Sequence, residues 1–209
     1  MKLSKISILI SIFILIAFVV AYSAGWLIFH KPEYKGRIID AETKEPIDGA
    51  VVVAMYNIYP IISGPAGSSA SIIHIKEALT NEKGEFVIPS YWSIMGPNNI
   101  EDFTKFIIYK PGYGSFPNNG GDIYPFQYCD PSYLFSKKID VKREVHSGAD
   151  IVKITFGVAQ LHRLKTRGEM LKAMPSPPSE WENKVPLLLN AINEERKSFG
   201  LKLIGPGRD

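Results

Sequence analysis

YKGRIIDAETKEPIDGAVVVAMYNI, residues 34–58, decides the fold, together with its echo LTNEKGEFVIPSY at 79–91. Each stretch is a pair of short apolar segments on either side of a polar turn. Pro46 ends the first turn, and Gly84, which can take a positive φ, ends the second. The β-branched run at 51–58 is too short and too branched for a helix and indicates a buried strand. The pattern predicts the opening of a small β-sandwich.

The same signals extend along the chain as alternating apolar residues separated by Pro, Gly and Asn. Residues 71–80 and 85–92 are predicted to form a hairpin. The predicted strands are 34–40, 51–58, 71–80, 85–92, 103–110 and 150–161, and the predicted loops are 59–70, 93–102 and 115–135.

The period changes after residue 162, where a helical tail is predicted. Thr166 and Glu169 have capping-box spacing, which opens a short helix that stops before Pro175. Beyond a Pro-rich linker, apolar residues recur close to every 3.6 positions. That second helix is expected to begin near Asn183, with Pro186 in its first turn, and to end at Gly200. Trp181, Val185, Leu188, Leu189, Ile192 and Phe199 form its apolar face.

The N-terminal residues 6–29 contain no charged side chain. As a helix they would measure about 36 Å, enough for a hydrocarbon core of about 30 Å. Lys2 and Lys5 precede this run, which favours a cytoplasmic N-terminus and an extracytoplasmic C-terminal part, periplasmic or at the cell surface. The pattern predicts a signal anchor that crosses the membrane once. The alternative is a signal peptide cleaved near Ser23, giving a secreted protein.

Charge and cysteine content exclude several classes of function. The net charge is +3, and Lys2, Lys5 and Lys31 account for it, so the rest of the chain is balanced. A balanced surface argues against nucleic-acid binding. Cys129 is the only cysteine, so an internal disulfide is impossible and lipoprotein processing is not expected.

Three motifs resemble the carboxypeptidase regulatory-like domain of bacterial envelope proteins, a transthyretin-like β-sandwich. They are GRIIDAETKEPIDGAVVVA at 36–54, TNEKGEF at 80–86 and IIYKPGYG at 107–114, in the family's order. The resemblance implies a folding and binding module that holds no active site. Together with the N-terminal apolar run and the helical pattern of the tail, it predicts a mainly β chain with an anchor at 1–30, the sandwich at 31–162 and a helical tail at 163–209.

No catalytic or metal-binding pattern stands out, so no cofactor and no enzyme activity are expected. The four histidines lack metal-ligand spacing. Cys129 is a nucleophile only if folding brings a base beside it, and a semi-buried loop thiol is the simpler interpretation. The alternative function is an enzyme or enzyme accessory that acts on envelope material through residues 115–135. Convergence of Asp122, Cys129, Asp130 and His146 in one cleft would favour it.

Aromatic residues cluster between 113 and 135 among Gly, Pro and Asn. Aromatic side chains on loops bind sugars or partner proteins, although they also cap the open end of a sandwich. The sequence therefore predicts a non-catalytic, membrane-anchored binding module whose partners are the bilayer, through residues 6–29, and an envelope protein or glycan. The candidate contact residues are Tyr113, Phe116, Tyr124, Phe126, Tyr128 and Tyr133.

Overall fold

The computed structural model describes residues 5–23, 27–61, 70–102, 104–117, 145–146, 152–155 and 157–205. This part of the chain is mainly β, with several sheets and few helices. The strands are β1 (Leu27–Lys31), β2 (Tyr34–Asp40), β3 (Val51–Pro60), β4 (Ser71–Leu79), β5 (Glu85–Ile88), β6 (Tyr91–Met95), β7 (Asn99–Glu101), β8 (Lys105–Tyr109), β9 (Val145–His146), β10 (Val152–Thr155) and β11 (Val158–Leu161). The helices are α1 (Lys5–Ser23), α2 (Arg167–Ala173) and α3 (Pro186–Ser198), with a 3-10 helix at Ser179–Lys184.

Two larger sheets enclose the main hydrophobic core. The first has the strand order β5-β2-β11-β10-β9. The second is built on β3, with β4 along one edge and β7 and β8 along successive parts of the other. Apolar side chains from both sheets meet between them, so the two sheets pack face to face. This core includes Tyr34, Ile38, Val52, Ala54, Tyr56, Phe86, Ile88, Phe106, Ile108, Ala159 and Leu161.

Strand β3 is buried on both faces from Val51 to Asn57, which explains the unbroken apolar run at 51–56. Val52 and Ala54 point into the core between the sheets. Val51 and Val53 point the other way and pack against helix α3. Successive side chains of a strand alternate between faces, so only an apolar residue at every position satisfies both layers. The prediction of a buried strand at 51–58 is confirmed.

Two carboxylates hold helix α3 on the second sheet. Glu77 of β4 accepts hydrogen bonds from the backbone N–H groups of Leu187 (3.0 Å) and Leu188 (2.8 Å), at the helix N-terminus. Glu195, in the C-terminal half of the helix, is 4% exposed and accepts from the Tyr109 hydroxyl and from the N–H of Gly112 (2.9 Å). The tail therefore packs on the sheets.

The predicted hairpin of residues 71–80 and 85–92 is wrong. β4 pairs with β3 in the second sheet, and β5 pairs with β2 in the first. The turn between them therefore crosses from one sheet to the other. Gly84 takes a φ of +71°, and a Cβ there would lie 2.3 Å from the carbonyl oxygen of Ile38. This close backbone approach, rather than a hairpin, is what the glycine serves.

Three other boundaries differ from the prediction. The described part of the predicted strand 150–161 forms two antiparallel strands, β10 and β11, with Gly157, whose φ is +69°, between them. The predicted loop 93–102 contains the end of β6 and the whole of β7. Pro60 belongs to β3 rather than to a loop, because at that point β3 pairs only with β7 along one edge.

The local signals of the tail are confirmed. Thr166 caps α2, and Glu169 completes the capping box. Pro186 is the first residue of α3, preceded by the 3-10 helix. Gly200 follows the helix with a φ of +69°. These features depend on neighbours within a few residues, which is why sequence spacing identifies them.

The apolar N-terminal run changes structure before its end. Helix α1 stops at Ser23, and Leu27 begins β1, which pairs with β6 as a two-stranded ribbon. Phe29, expected in the apolar helix, is 1% exposed in the core between the sheets. Strand β1 therefore belongs to the β-structure rather than to the apolar helix, and it extends across the boundary at residue 30 that was predicted between the anchor and the sandwich. Among the described residues, no helix has both the length and the apolar character required to cross a membrane.

The strands define two ends of the β-structure. The ribbon end holds Leu27, Met95 and Pro60: Leu27 pairs with Met95, and the N–H of Ile61 bonds the carbonyl of Asn98. At the turn end, β3 begins opposite Leu79. The same end holds Asp40, which ends β2 opposite Leu161, and Gly112, whose carbonyl accepts a hydrogen bond from the N–H of Leu164. The nine steps along β3 separate the two ends by roughly 30 Å.

Candidate functional site

Tyr113 and Arg163 come together at the turn end of the β-structure. Their backbones form an isolated bridge. The Arg163 Nη2 donates to the Tyr113 hydroxyl at 2.7 Å, and its guanidinium carbon lies 5.2 Å from the centre of the tyrosine ring. The Arg163 side chain is 67% exposed. A cation and an aromatic ring are therefore presented to solvent as one unit.

Asp40 lies beneath this pair and is 4% exposed. Its Oδ1 accepts from the backbone N–H groups of Glu42 (2.8 Å) and Thr43 (3.1 Å), and its Oδ2 lies 3.8 Å from Arg163 Nε. Burial by itself raises the pKa of Asp40, but the two backbone N–H groups, a hydrogen bond from Tyr113 and the charge of Arg163 hold it below its ordinary value. The ionised carboxylate helps to orient the guanidinium.

We call Asp40, Tyr113 and Arg163 the turn-end cluster. Its guanidinium has N–H groups free to donate to a carboxylate or a sugar hydroxyl, because Arg163 has five donors and the structure shows only one used in a hydrogen bond among the described residues. The tyrosine ring offers an apolar face beside them. The arrangement suits binding of an anionic or hydroxyl-rich group, and it contains no nucleophile paired with a base.

The predicted contact residues fall in three places. Tyr113 is partly exposed in the turn-end cluster. Phe116 is 1% exposed in the core and pairs through its backbone with Ile108, so its side chain would have to leave the core to touch a partner. The other four candidates lie outside the described residues, and they are Tyr124, Phe126, Tyr128 and Tyr133.

Sequence reasoning missed Asp40 and Arg163. Asp40 precedes a polar turn, where its side chain bonds the N–H groups two and three residues on, a pattern typical of turns. Arg163 stands alone after a strand and carries no local signal. Only the parallel pairing of β11 with β2 brings the two residues together.

Two of the four histidines, His30 and His74, take part in aromatic contacts. His30 stacks on Trp92 with ring centres 3.7 Å apart, and His74 stacks on Tyr91 at 4.3 Å. Burial lowers the pKa of His74, with the positive charge of Lys76 and Lys184 acting in the same direction. In the part of the chain that the structure describes, no group of three acidic, histidine or cysteine side chains is placed to hold a metal ion.

The side chains that were predicted to converge in one cleft, those of Asp122, Cys129, Asp130 and His146, are not among those that the structure describes. Asp122, Cys129 and Asp130 lie outside the described residues. The backbone of His146 is in β9, opposite Lys153 of β10, but the structure does not describe its side chain. The enzyme alternative built on residues 115–135 therefore stays a prediction.

A second surface of note lies at the ribbon end. Ile28, Trp92 and Ile94 are 66%, 63% and 70% exposed on the outward face of the ribbon. Trp92 stacks with His30 directly across the strand pair. An apolar surface of this kind is unlike the charged turn end. Comparison with family models, with curated proteins and with solved structures finds no match to this chain.

Proposed function

We propose that this chain is a membrane-anchored, extracytoplasmic protein that acts by binding rather than by catalysis. In this proposal the apolar N-terminal segment holds it to a bilayer. The two facing sheets form a transthyretin-like β-sandwich of the carboxypeptidase regulatory-like type. The turn-end cluster contacts an envelope protein or glycan on the side away from the membrane. The observation that carries the proposal is the surface of helix α1.

Helix α1 is apolar on every side that the structure describes. Ile6, Phe13 and Phe18 are 68%, 73% and 64% exposed, and the described residues between them include no charge. A helix that is hydrophobic all round is a membrane segment or the buried centre of a large protein. Its exposure beside a small β-structure favours the membrane. Lys2, which precedes the helix, and Lys5, which is its first residue, favour a cytoplasmic N-terminus.

The sheet arrangement supports the proposed fold type. Two sheets face one another across a single apolar core, and the motif at 36–54 supplies β2 and the start of β3, one strand to each sheet. The turn at 80–86 carries the chain from one sheet to the other. These are the elements through which the sequence resembles the carboxypeptidase regulatory-like domain.

The two ends of the β-structure differ in chemistry, which supports a division of roles. The ribbon end joins the apolar helix. The turn end, roughly 30 Å away along β3, presents the exposed guanidinium of Arg163 and the ring of Tyr113. A group at the end away from the anchor is accessible to envelope material outside the bilayer. The ionised carboxylate of Asp40 helps to orient the guanidinium of Arg163.

Photocrosslinking in native membranes tests the proposal. A benzophenone amino acid replaces Tyr113 in the full-length protein, and the matched control places it at Val87, which is 49% exposed on β5. We expect one identified envelope protein or glycan to be captured from position 113 and not from 87. Arg163→Ala should reduce the captured yield several-fold. Equal capture from both positions, or capture that ignores Arg163→Ala, would refute the proposed binding face.

Membrane attachment is tested separately by alkaline extraction of the same membranes. The full-length protein should remain with the lipid. A variant with Phe13→Lys and Leu15→Lys should be released, because a charge inside the hydrocarbon is costly. Release of the unchanged protein would refute the anchor while leaving the binding face open to its own test.

A further inference from the structure

Exposed apolar side chains are concentrated at the ribbon end. Outside helix α1, the described residues include ten large apolar side chains that are exposed. Six of them belong to the ribbon or to the adjoining tip formed by β3 and β7, which makes this end the main apolar surface of the β-structure. The six are Ile28, Tyr59, Ile61, Trp92, Ile94 and Ile100.

The ribbon separates its residues into two faces. Phe29 and Met95 point inward and belong to the core. Ile28 and Ile94 lie opposite each other in the strand pairing and point outward, at 66% and 70% exposure. This alternation leaves an outward face without Asp, Glu, Lys or Arg, since the remaining outward pair is His30 stacked on Trp92.

An ion pair between a buried lysine and a half-exposed glutamate fixes the direction of this face. Lys31, 4% exposed at the inner end of the ribbon, lies 2.6 Å from the Glu101 carboxylate and donates to the carbonyl of Asp102 at 2.9 Å. Both partners are at the end of β7. The ribbon is therefore joined to the second sheet, and its outward face cannot turn inward to hide the exposed apolar groups.

The chain ties this face to helix α1. Leu27 follows Ser23 by four residues, a span of at most about 14 Å. Helix α1 has 19 residues and measures about 28 Å, slightly less than a hydrocarbon core of about 30 Å. A segment that is short for the bilayer draws its flanking residues toward the interface. The headgroup layer on each side is about 5–8 Å thick, so Leu27 begins close to it.

We propose that the outward face of the ribbon, with Ile28, Trp92 and Ile94, lies on the lipid interface of the membrane that holds helix α1. This inference rests on the proposed anchoring of the N-terminal segment. Tryptophan suits the boundary between headgroups and acyl chains because its ring is apolar and its N–H remains hydrated. Uncharged branched side chains beside it add apolar contact area. The ribbon thus sets the turn end facing away from the membrane.

The test compares two positions that are both exposed, Ile94 at 70% and Leu79 at 49%. In a Cys129→Ser background, Ile94→Cys places a thiol on the proposed lipid face, and Leu79→Cys places one at the turn end, where Leu79 is 49% exposed. The full-length protein is reconstituted in vesicles of phosphatidylcholine and phosphatidylglycerol and labelled with a membrane-impermeant maleimide. We expect Ile94→Cys to react about ten- to a hundredfold more slowly, the ratio that burial of such a side chain supports.

A lipid-borne quencher gives a second readout on the same variants. A fluorophore attached at position 94 should be quenched by spin-labelled lipid, and one at position 79 should not. Vesicle flotation is measured on each sample, so that attachment is judged independently of the ribbon. Flotation with equal labelling rates at the two positions overturns the ribbon inference and leaves the anchor intact.

The remaining outcomes of the labelling, quenching and flotation experiments also support or overturn the ribbon inference. Protein that fails to float refutes the anchor, and the ribbon inference with it. Protection of position 94 in native membranes but not in pure lipid vesicles identifies a protein as the occupant and overturns the assignment to lipid. Slow labelling together with quenching in pure lipid supports it.

Discussion

Replacing Glu77 by alanine tests how helix α3 is held on the second sheet. The Glu77 carboxylate accepts from two N–H groups at the helix N-terminus, those of Leu187 and Leu188. The first N–H groups of a helix have no partner within it, and loss of a capping acceptor costs about 0.5–2 kcal/mol. Hydrogen bonds to a charged group contribute about 1.5–3 kcal/mol, but partial burial of the carboxylate offsets some of this.

We therefore expect Glu77→Ala to lower the free energy of unfolding by about 1–2 kcal/mol. Glu77→Gln should cost less, because its amide oxygen still accepts one bond and is cheaper to bury. The assay is urea unfolding of the full-length protein in detergent. The control is Glu82→Ala, at an exposed position of the 81–84 turn, expected within about 0.5 kcal/mol of the unchanged protein. A Glu77→Ala effect as small as that control would refute the capping role.

The pH dependence gives an independent check on the same side chain. Burial raises the pKa of Glu77, and the bonds from Leu188 and Leu187 only partly oppose it. A raised pKa means that the folded protein holds the proton more tightly than the unfolded chain. Stability from this group is thus greatest at low pH and falls as pH rises through the raised value. As the pH falls through the carboxyl range, the free energy of unfolding of the unchanged protein should increase relative to that of Glu77→Gln. A decrease over that range would contradict this.

Three further changes have expected outcomes. Tyr109→Phe removes the hydroxyl that donates to buried Glu195, and should lower the free energy of unfolding by about 1–3 kcal/mol in urea titrations, since the acceptor loses a partner. Gly84→Ala places a Cβ 2.3 Å from a carbonyl oxygen of β2, whereas the Cβ of Gly112→Ala meets open space at a similar positive φ. Thermal unfolding should therefore show a clearly larger loss of stability for Gly84→Ala than for Gly112→Ala. Equal losses of stability would refute the close approach at Gly84. Thr166→Ala removes the capping box of α2 and should cost about 1 kcal/mol, with faster hydrogen exchange confined to that helix; unchanged exchange would count against the cap.

Local chemistry made parts of this fold predictable. The buried strand at 51–58, the positive φ of Gly84 and the cap at Thr166 all depend on residues close in sequence. A run of β-branched residues or a capping pair specifies its own conformation wherever it is placed. The sequence could therefore locate most strands and both tail helices before their partners were known.

Pairing between distant segments was not predictable in the same way. Nothing near residues 71–92 shows that β5 joins β2, because the deciding contact is between Gly84 and the carbonyl of Ile38. The apolar run at 6–29 has no internal mark where helix changes to strand; Phe29 is fixed by a core that other segments build. The candidate site was missed for the same reason, since Asp40 and Arg163 meet only through β11 and β2.

The two-faced burial of β3 has a consequence for the order of biosynthesis. Its second face packs against tail residues that include Val185, Leu188 and Ile192, which leave the ribosome more than 130 residues after Val51. Until then, the apolar outer face of the second sheet has no cover from the tail and resembles the exposed surfaces on which incomplete chains aggregate. The nascent chain thus exposes an uncovered apolar sheet face for that interval, and truncation before residue 185 should yield a chain that aggregates more readily than the full-length protein.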